Sequence, residues 1–262
     1  MLRRFSIAGF SIAFSLTYLA LCIATCAQQP VPPALPNTAP WGYYGSKGPS
    51  NWGRLDPAYT ACAHGKQQSP IDIRGARTDK ALKPIEFHYL SGPVTLFNTG
   101  NTIQGIVGPG SYIVANGVRY DLQQFHFHRP SEHLIKGKVS DLEIHLVHKS
   151  ADGKFAVIAV RVNEGRVNGA LAAIWPSLPK AVGATAPIRD PFNPLGLLPT
   201  DRAYFTYTGS LSAPPCTEGV QWFLMEEPAE LAGDQLSTFA AIYRDNARQV
   251  QDPNGRKVES SE

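Results

Sequence analysis

Charge is scarce in this chain. Asp, Glu, Lys and Arg make up 17% of its 262 residues and nearly cancel, leaving a formal net charge of +3. No basic patch and no acidic tail stand out, which argues against nucleic acid as a partner and against a charged interaction arm. Helical periodicity is also sparse: Gly169–Ile174 is short, and only Gln235–Asn246 offers a fuller pattern. No stretch repeats itself, which excludes a repeat array. Cysteine is limited to four residues, and a long apolar run occurs only at the N-terminus.

That run has the layout of an export signal. Arg3 and Arg4 form a positive start, apolar residues follow from about Phe5 to Ala24, and Thr25-Cys26-Ala27 supplies small residues before Gln28. The expectation is a signal peptide over residues 1–27 and a protein that is periplasmic or secreted. The run approaches membrane-spanning length, so an uncleaved anchor is the alternative. A lipid on Cys26 is another, although Thr25 is a poor residue before a lipid-bearing Cys. Cleavage after Ala27 removes Cys22 and Cys26 and brings the charge to about +1. Cys62 and Cys216 then remain, and an even pair in an exported chain suggests a disulfide. Residues 28–40, rich in Pro and Gln, read as a flexible lead-in. The rest suffices for one domain with a sizeable core, residues 41–262.

From Trp41 onward the pattern is of short strands broken by Gly, Pro and Asn. Strands are expected at 94–98, 102–107, 112–114, 119–128, 141–148, 155–162, 203–208 and 221–226. The fold class is therefore mainly β, with a few short helices.

Two of these strands carry the chemistry. Gln124-Phe125-His126-Phe127-His128 and Glu143-Ile144-His145-Leu146-Val147-His148 are separated by a turn-like stretch with Pro130 and Gly137. Side chains on a strand alternate between faces. Gln124, His126 and His128 thus share one face, Glu143, His145 and Val147 another, and a hairpin sets these faces side by side. His126, His128 and His145 can converge on one ion, and tetrahedral zinc with three protein nitrogens keeps its fourth position open. Gln124 and Glu143 stand two residues from a ligand, where acceptors for a ligating His's other ring N–H are expected. A lone His in a strand is ordinarily a core or surface residue, and His-x-His alone is a weak metal signal. The third His and the two polar neighbours strengthen it.

At these residues the chain resembles the α-class carbonic anhydrases, in their bacterial, exported form. The resemblance also rests on Gln68-Ser69-Pro70-Ile71-Asp72-Ile73, Trp41-Gly42-Tyr43 with Trp52, and Ser131-Glu132-His133. Further matches are Gly209-Ser210-Leu211-Ser212-Ala213-Pro214-Pro215-Cys216-Thr217-Glu218-Gly219-Val220 with Trp222, and Asn246-Ala247-Arg248 with Asn254-Gly255-Arg256. It runs from about Trp41 to the end of the chain, with the motifs in order.

The resemblance implies a large twisted, mostly antiparallel central sheet with Zn2+ at the base of a conical cleft. It implies reversible hydration of CO2 to bicarbonate and a proton by attack of zinc-bound hydroxide. Ser212 would receive the hydroxide's hydrogen bond and pass its own to Glu132. Val147, Val157, Leu211 and Trp222 would form a dry wall for CO2, and a Cys62–Cys216 bridge would tie the Ser212 segment to the N-terminal loop. Sulfonamide or anion inhibitors are expected ligands. No protein partner is implied, and the chain is expected as a monomer or homodimer. Two departures stand out. Asn101 occupies the position of the family's proton-carrying histidine, and Asn does not titrate near neutral pH. Ser212-Ala213 replaces the usual pair of threonines; Ser212 keeps the hydroxyl without the methyl that stiffens Thr, and Ala213 loses a hydroxyl that contacts bicarbonate. A non-catalytic binding or adhesion relative would typically have lost a zinc histidine, and an esterase acting through the same metal lacks a designated acid here, leaving that as a side activity.

Overall fold

The computed structural model describes residues 40–261. The expected signal at 1–27 and nearly all of the 28–40 lead-in lie outside the described residues. In chain order the strands are β1 (Asp72–Ile73), β2 (Arg77–Thr78), β3 (Glu86–His88), β4 (Gly92–Asn98), β5 (Ile103–Val107), β6 (Tyr112–Ala115), β7 (Val118–His128) and β8 (Leu134–Ile135). The second half adds β9 (Leu142–Ser150), β10 (Phe155–Glu164), β11 (Thr185–Phe192), β12 (Tyr204–Ser210), β13 (Glu218–Met225), β14 (Ala229–Leu231) and β15 (Glu259–Ser260). Among the described residues, one sheet gathers all of these except β1 and β8; its main path runs β11-β4-β5-β7-β9-β10-β13-β12-β15-β2, with β14 paired to β10 and β3 joined through β6 to β7. Most neighbours are antiparallel; β10 runs parallel to β13 and β14, and β15 to β2. The mainly β, single-domain architecture expected from the sequence is the one found.

The sheet separates two apolar layers. Phe125 and Phe127 of β7, Leu142, Ile144 and Leu146 of β9, and Ile158 and Val160 of β10 join the larger core. Val147, Val157, Ala159, Val220, Trp222 and Leu224 form a smaller cluster on the other face. Strands covered on both faces lose the polar alternation of a surface strand, which is why β10 reads as a nearly unbroken apolar run from Phe155 to Val160, while β9 buries Glu143, His145 and His148 among its apolar residues.

Alternation fails at one place that matters. The β7–β9 register shifts between Leu122 and Gln124, so Gln123 is an extra residue in the ladder. Upstream, Tyr120 and Leu122 lie with the larger core; downstream, Phe125 and Phe127 do. The bulge thereby moves the even-numbered positions to the opposite face, and Gln124, His126 and His128 turn away from the large core. Gly105 of β5 lies opposite Phe125. A Cβ there would come within 2.1 Å of the Phe125 ring, so glycine makes room for the ring under the metal-side strand.

Two expectations are corrected. The helix anticipated at 235–246 spans Gly233–Ala240, because the chain beyond it is drawn to β7: Asn246 accepts from Arg129 N and donates to Phe127 O. Strand β11, absent from the expected strands, forms although it contains Pro187 and Pro191. It is the outermost strand, where a missing donor costs least.

Candidate metal centre

Strands β7 and β9 pair so that His126 lies opposite His145 and His128 opposite Glu143. One ring nitrogen from each of His126, His128 and His145 falls within 4.8 Å of the others. Their remaining nitrogens are engaged. His126 Nδ1 bonds Gln124 Oε1 at 2.8 Å, His128 Nδ1 bonds the Asn246 carbonyl at 2.8 Å, and His145 Nε2 bonds Glu143 Oε1 at 2.7 Å. Each acceptor fixes the proton on the bonded nitrogen and leaves a lone pair on the other. His128 Nε2 is buried with no hydrogen-bond partner. A buried acceptor without a donor is costly, and a cation is the partner that suits it together with the facing nitrogens of His126 and His145.

Electrostatics agree. Burial pushes all three imidazoles below the ordinary histidine range, His128 to about 4. They are neutral, as ligation requires. Burial raises Glu143, but His133 and His145 outweigh it and hold the carboxyl well below its usual value. Glu143 accepts from His133 Nδ1 at 2.6 Å and His133 N at 2.8 Å, and His133 Nε2 lies 2.7 Å from the Tyr207 hydroxyl.

Glu132 is buried beside the imidazoles, Oε1 3.4 Å from His128 Nδ1 and Oε2 3.9 Å from His145 Nδ1. Burial raises it to about 6, against the pull of His145, the Ser212 hydroxyl and the Arg248 N–H. Oε1 accepts from Arg248 N at 2.9 Å, while Oε2 lacks a fully formed hydrogen bond although Ser212 lies beside it. Ser212 is itself buried. Val147, Val157 and Trp222 occupy one row across β9, β10 and β13, and half-buried Leu211 packs against their cluster. The Trp222 ring centre is 5.0 Å from that of His145.

The eukaryotic-type carbonic anhydrase family model matches residues 47–262. The chain belongs to this family. A carbonic anhydrase of Pectobacterium carotovorum is 38% identical over 241 residues, 92% of this chain and 97% of that protein. One from Klebsiella pneumoniae is 42% identical, covering 83% of this chain and 89% of that one. The solved α-carbonic anhydrase of Thermovibrio ammonificans, in complex with the inhibitor sulfanilamide, is 42% identical with a TM-score of 0.83 over 84% of this chain and 99% of its own. The family is one of zinc-dependent enzymes that hydrate CO2.

Within this carbonic anhydrase fold, Asn101 sits half-buried in a tight loop. Its N–H donates to Thr99 Oγ1 and its carbonyl accepts from Asn246 Nδ2. Ala213 is half-buried, and its carbonyl accepts from Cys216 N. Cys62 and Cys216 are joined. His148 points into the large-core side, where its Nε2 lies 2.7 Å from the Tyr89 hydroxyl, as expected for a structural histidine. Tyr207, Asn246 and Arg248 were not assigned roles from sequence. Their partners lie more than 70 residues away, at a range where spacing carries no signal.

Proposed function

We propose that this chain hydrates CO2 reversibly to bicarbonate and a proton, using zinc held by His126, His128 and His145. The observation that carries the reading is the set of three neutral imidazoles, each with one nitrogen bonded to an acceptor and the other turned toward its fellows. When bound, zinc is a Lewis acid that makes hydroxide available near neutral pH.

The chain's own residues do the rest. Ser212 Oγ accepts a hydrogen bond from the reacting water and gives its own proton's bond to Glu132, which turns a lone pair toward the substrate. The Arg248 N–H occupies Glu132 Oε1 and leaves Oε2 for Ser212. Val147, Val157, Leu211 and Trp222 keep water away from the place where apolar CO2 rests. Ala213 offers no hydroxyl to bicarbonate, so product and anionic inhibitors are held more weakly. Sulfonamides are proposed ligands, in line with the relative solved with one. Asn101 neither takes nor gives a proton near pH 7, so proton release depends on buffer. A slow ester hydrolysis at the same site is a side activity. The arginine-led apolar start and the disulfide support export, periplasmic or secreted; no helix among the described residues is long and apolar enough to cross a membrane.

Stopped-flow CO2 hydration on purified protein, before and after chelation, tests this. Activity is expected, lost on chelation and restored by zinc. A zinc-loaded, folded protein without CO2 hydration would overturn the reading.

A further inference from the structure

Ser212 and Glu132 belong to different parts of the chain. The hydroxyl sits on the loop after β12, which closes on itself through Leu211 N to Thr217 O and Cys216 N to Ala213 O. The carboxyl is held by the N–H of Arg248, near the C-terminus. Their separation depends on whatever fastens the loop to Arg248.

Gln68-Ser69 is that fastening. Gln68 is 4% exposed, and its amide faces both ways. Nε2 donates to the Cys216 carbonyl at 3.1 Å and to Glu218 Oε1 at 3.0 Å, while Oε1 accepts from Arg248 Nη1 at 2.9 Å. Ser69 repeats the pattern: it exchanges two hydrogen bonds with Ser210, and its carbonyl accepts from Arg248 Nη1 at 2.8 Å. Arg248 Nη2 donates to the Cys62 carbonyl at 3.0 Å, and Cys62 is bonded to Cys216. The loop carrying the hydroxyl and the segment holding the carboxyl therefore meet on the Gln68 amide, on Ser69 beside it and through the Cys62–Cys216 bridge, and of these the amide is the one side chain that bonds both directly. An amide has a donor end and an acceptor end. A carbonyl must be met on the loop side and a guanidinium on the other, which no apolar or purely accepting side chain of that length can do.

We propose that Gln68 is a positioning residue for the Ser212–Glu132 pair, its amide setting the distance between hydroxyl and carboxyl. The proposal rests on the roles given to those two residues above.

The test uses zinc-loaded full-length protein and the variants Gln68→Leu, Gln68→Asn, Ser212→Ala and Gln68→Leu/Ser212→Ala. Gln68→Asn keeps the amide one methylene short and serves if the Leu variant does not fold. Tyr204→Phe, which loses only a bond to the Lys83 carbonyl far from the site, is the stability control. Zinc content and Tm are measured beside kcat/KM and kcat in dilute buffer. Per zinc-loaded folded molecule, Gln68→Leu or Gln68→Asn is expected to lower kcat/KM about tenfold, while kcat, limited by proton release, moves less than about twofold. Gln68→Leu should add little to Ser212→Ala, because the aligned hydroxyl is already gone. An unchanged kcat/KM in the Gln68 variants, with Ser212→Ala impaired, overturns this proposal alone. So does an equal fall in kcat and kcat/KM, or effects that multiply in the double variant. Ser212→Ala with unchanged kcat/KM overturns the reading of Ser212 and this proposal with it.

Discussion

At the scale of the residue, a few side chains decide what the site can do. Ser212→Ala removes the only hydroxyl assigned to orient the reacting water, and kcat/KM is expected to fall about a hundredfold with zinc content unchanged, as for loss of one preorganised polar contact. Steady-state CO2 hydration beside metal analysis checks this. Asn101 makes the complementary case. Its backbone is held by Thr99 and Asn246, so a substitution changes the side chain without releasing the loop. Asn101→His is expected to raise kcat in dilute buffer about tenfold or more and leave kcat/KM unchanged. The parent's kcat should climb steeply with imidazole, and the variant's should not. Equal buffer response in both would remove Asn101 from the account of proton release. Both residues were legible in the sequence through motifs of known kin. Gln68 and Arg248 were visible as landmarks, yet their work was not, because it consists of hydrogen bonds across 148 and 116 residues of chain.

At the scale of the element, the bulge in β7 and the glycine opposite it place the imidazoles. Gly105→Ala drives a methyl into the Phe125 ring and should cost about 1–3 kcal/mol, read as a lower midpoint in urea. Since Phe125 lies one residue from His126, zinc should also leave faster, measurable with a chromogenic chelator. The last five residues of β7 alternate as the sequence suggests; the face change at Gln123 was hidden, because a bulge needs the partner strand to be seen. Helix 233–240 was overextended for a related reason. Its continuation has helical composition, but Asn246 gains more from β7 than from another helical turn. The disulfide closes a separation of 154 residues, worth up to about 5 kcal/mol in the chain-entropy picture.

At the scale of the whole molecule, the sheet's far side carries most of the apolar mass and one buried histidine of its own. Burial holds His148 at about 3, against 6.5 when unfolded. As pH falls the unfolded chain binds the proton first. This contribution to stability is intact above about pH 6.5 and is lost down to about pH 3, at a slope of at most about 1.4 kcal/mol per pH unit. Urea melts at stepped pH should show it. His148→Gln, which keeps an acceptor for Tyr89, should have a shallower acid limb; an unchanged limb would assign the acid loss elsewhere. The two layers on either side of the sheet also share no residue, since one contains Val147, Val157 and Trp222 and the other Phe125, Phe127 and Ile158. Away from Phe125, which backs His126, heritable variation in heat tolerance and heritable variation in chemistry can therefore accumulate on opposite sides of the same strands. A lineage moving between cold and hot habitats could rebuild one side while passing the other down intact.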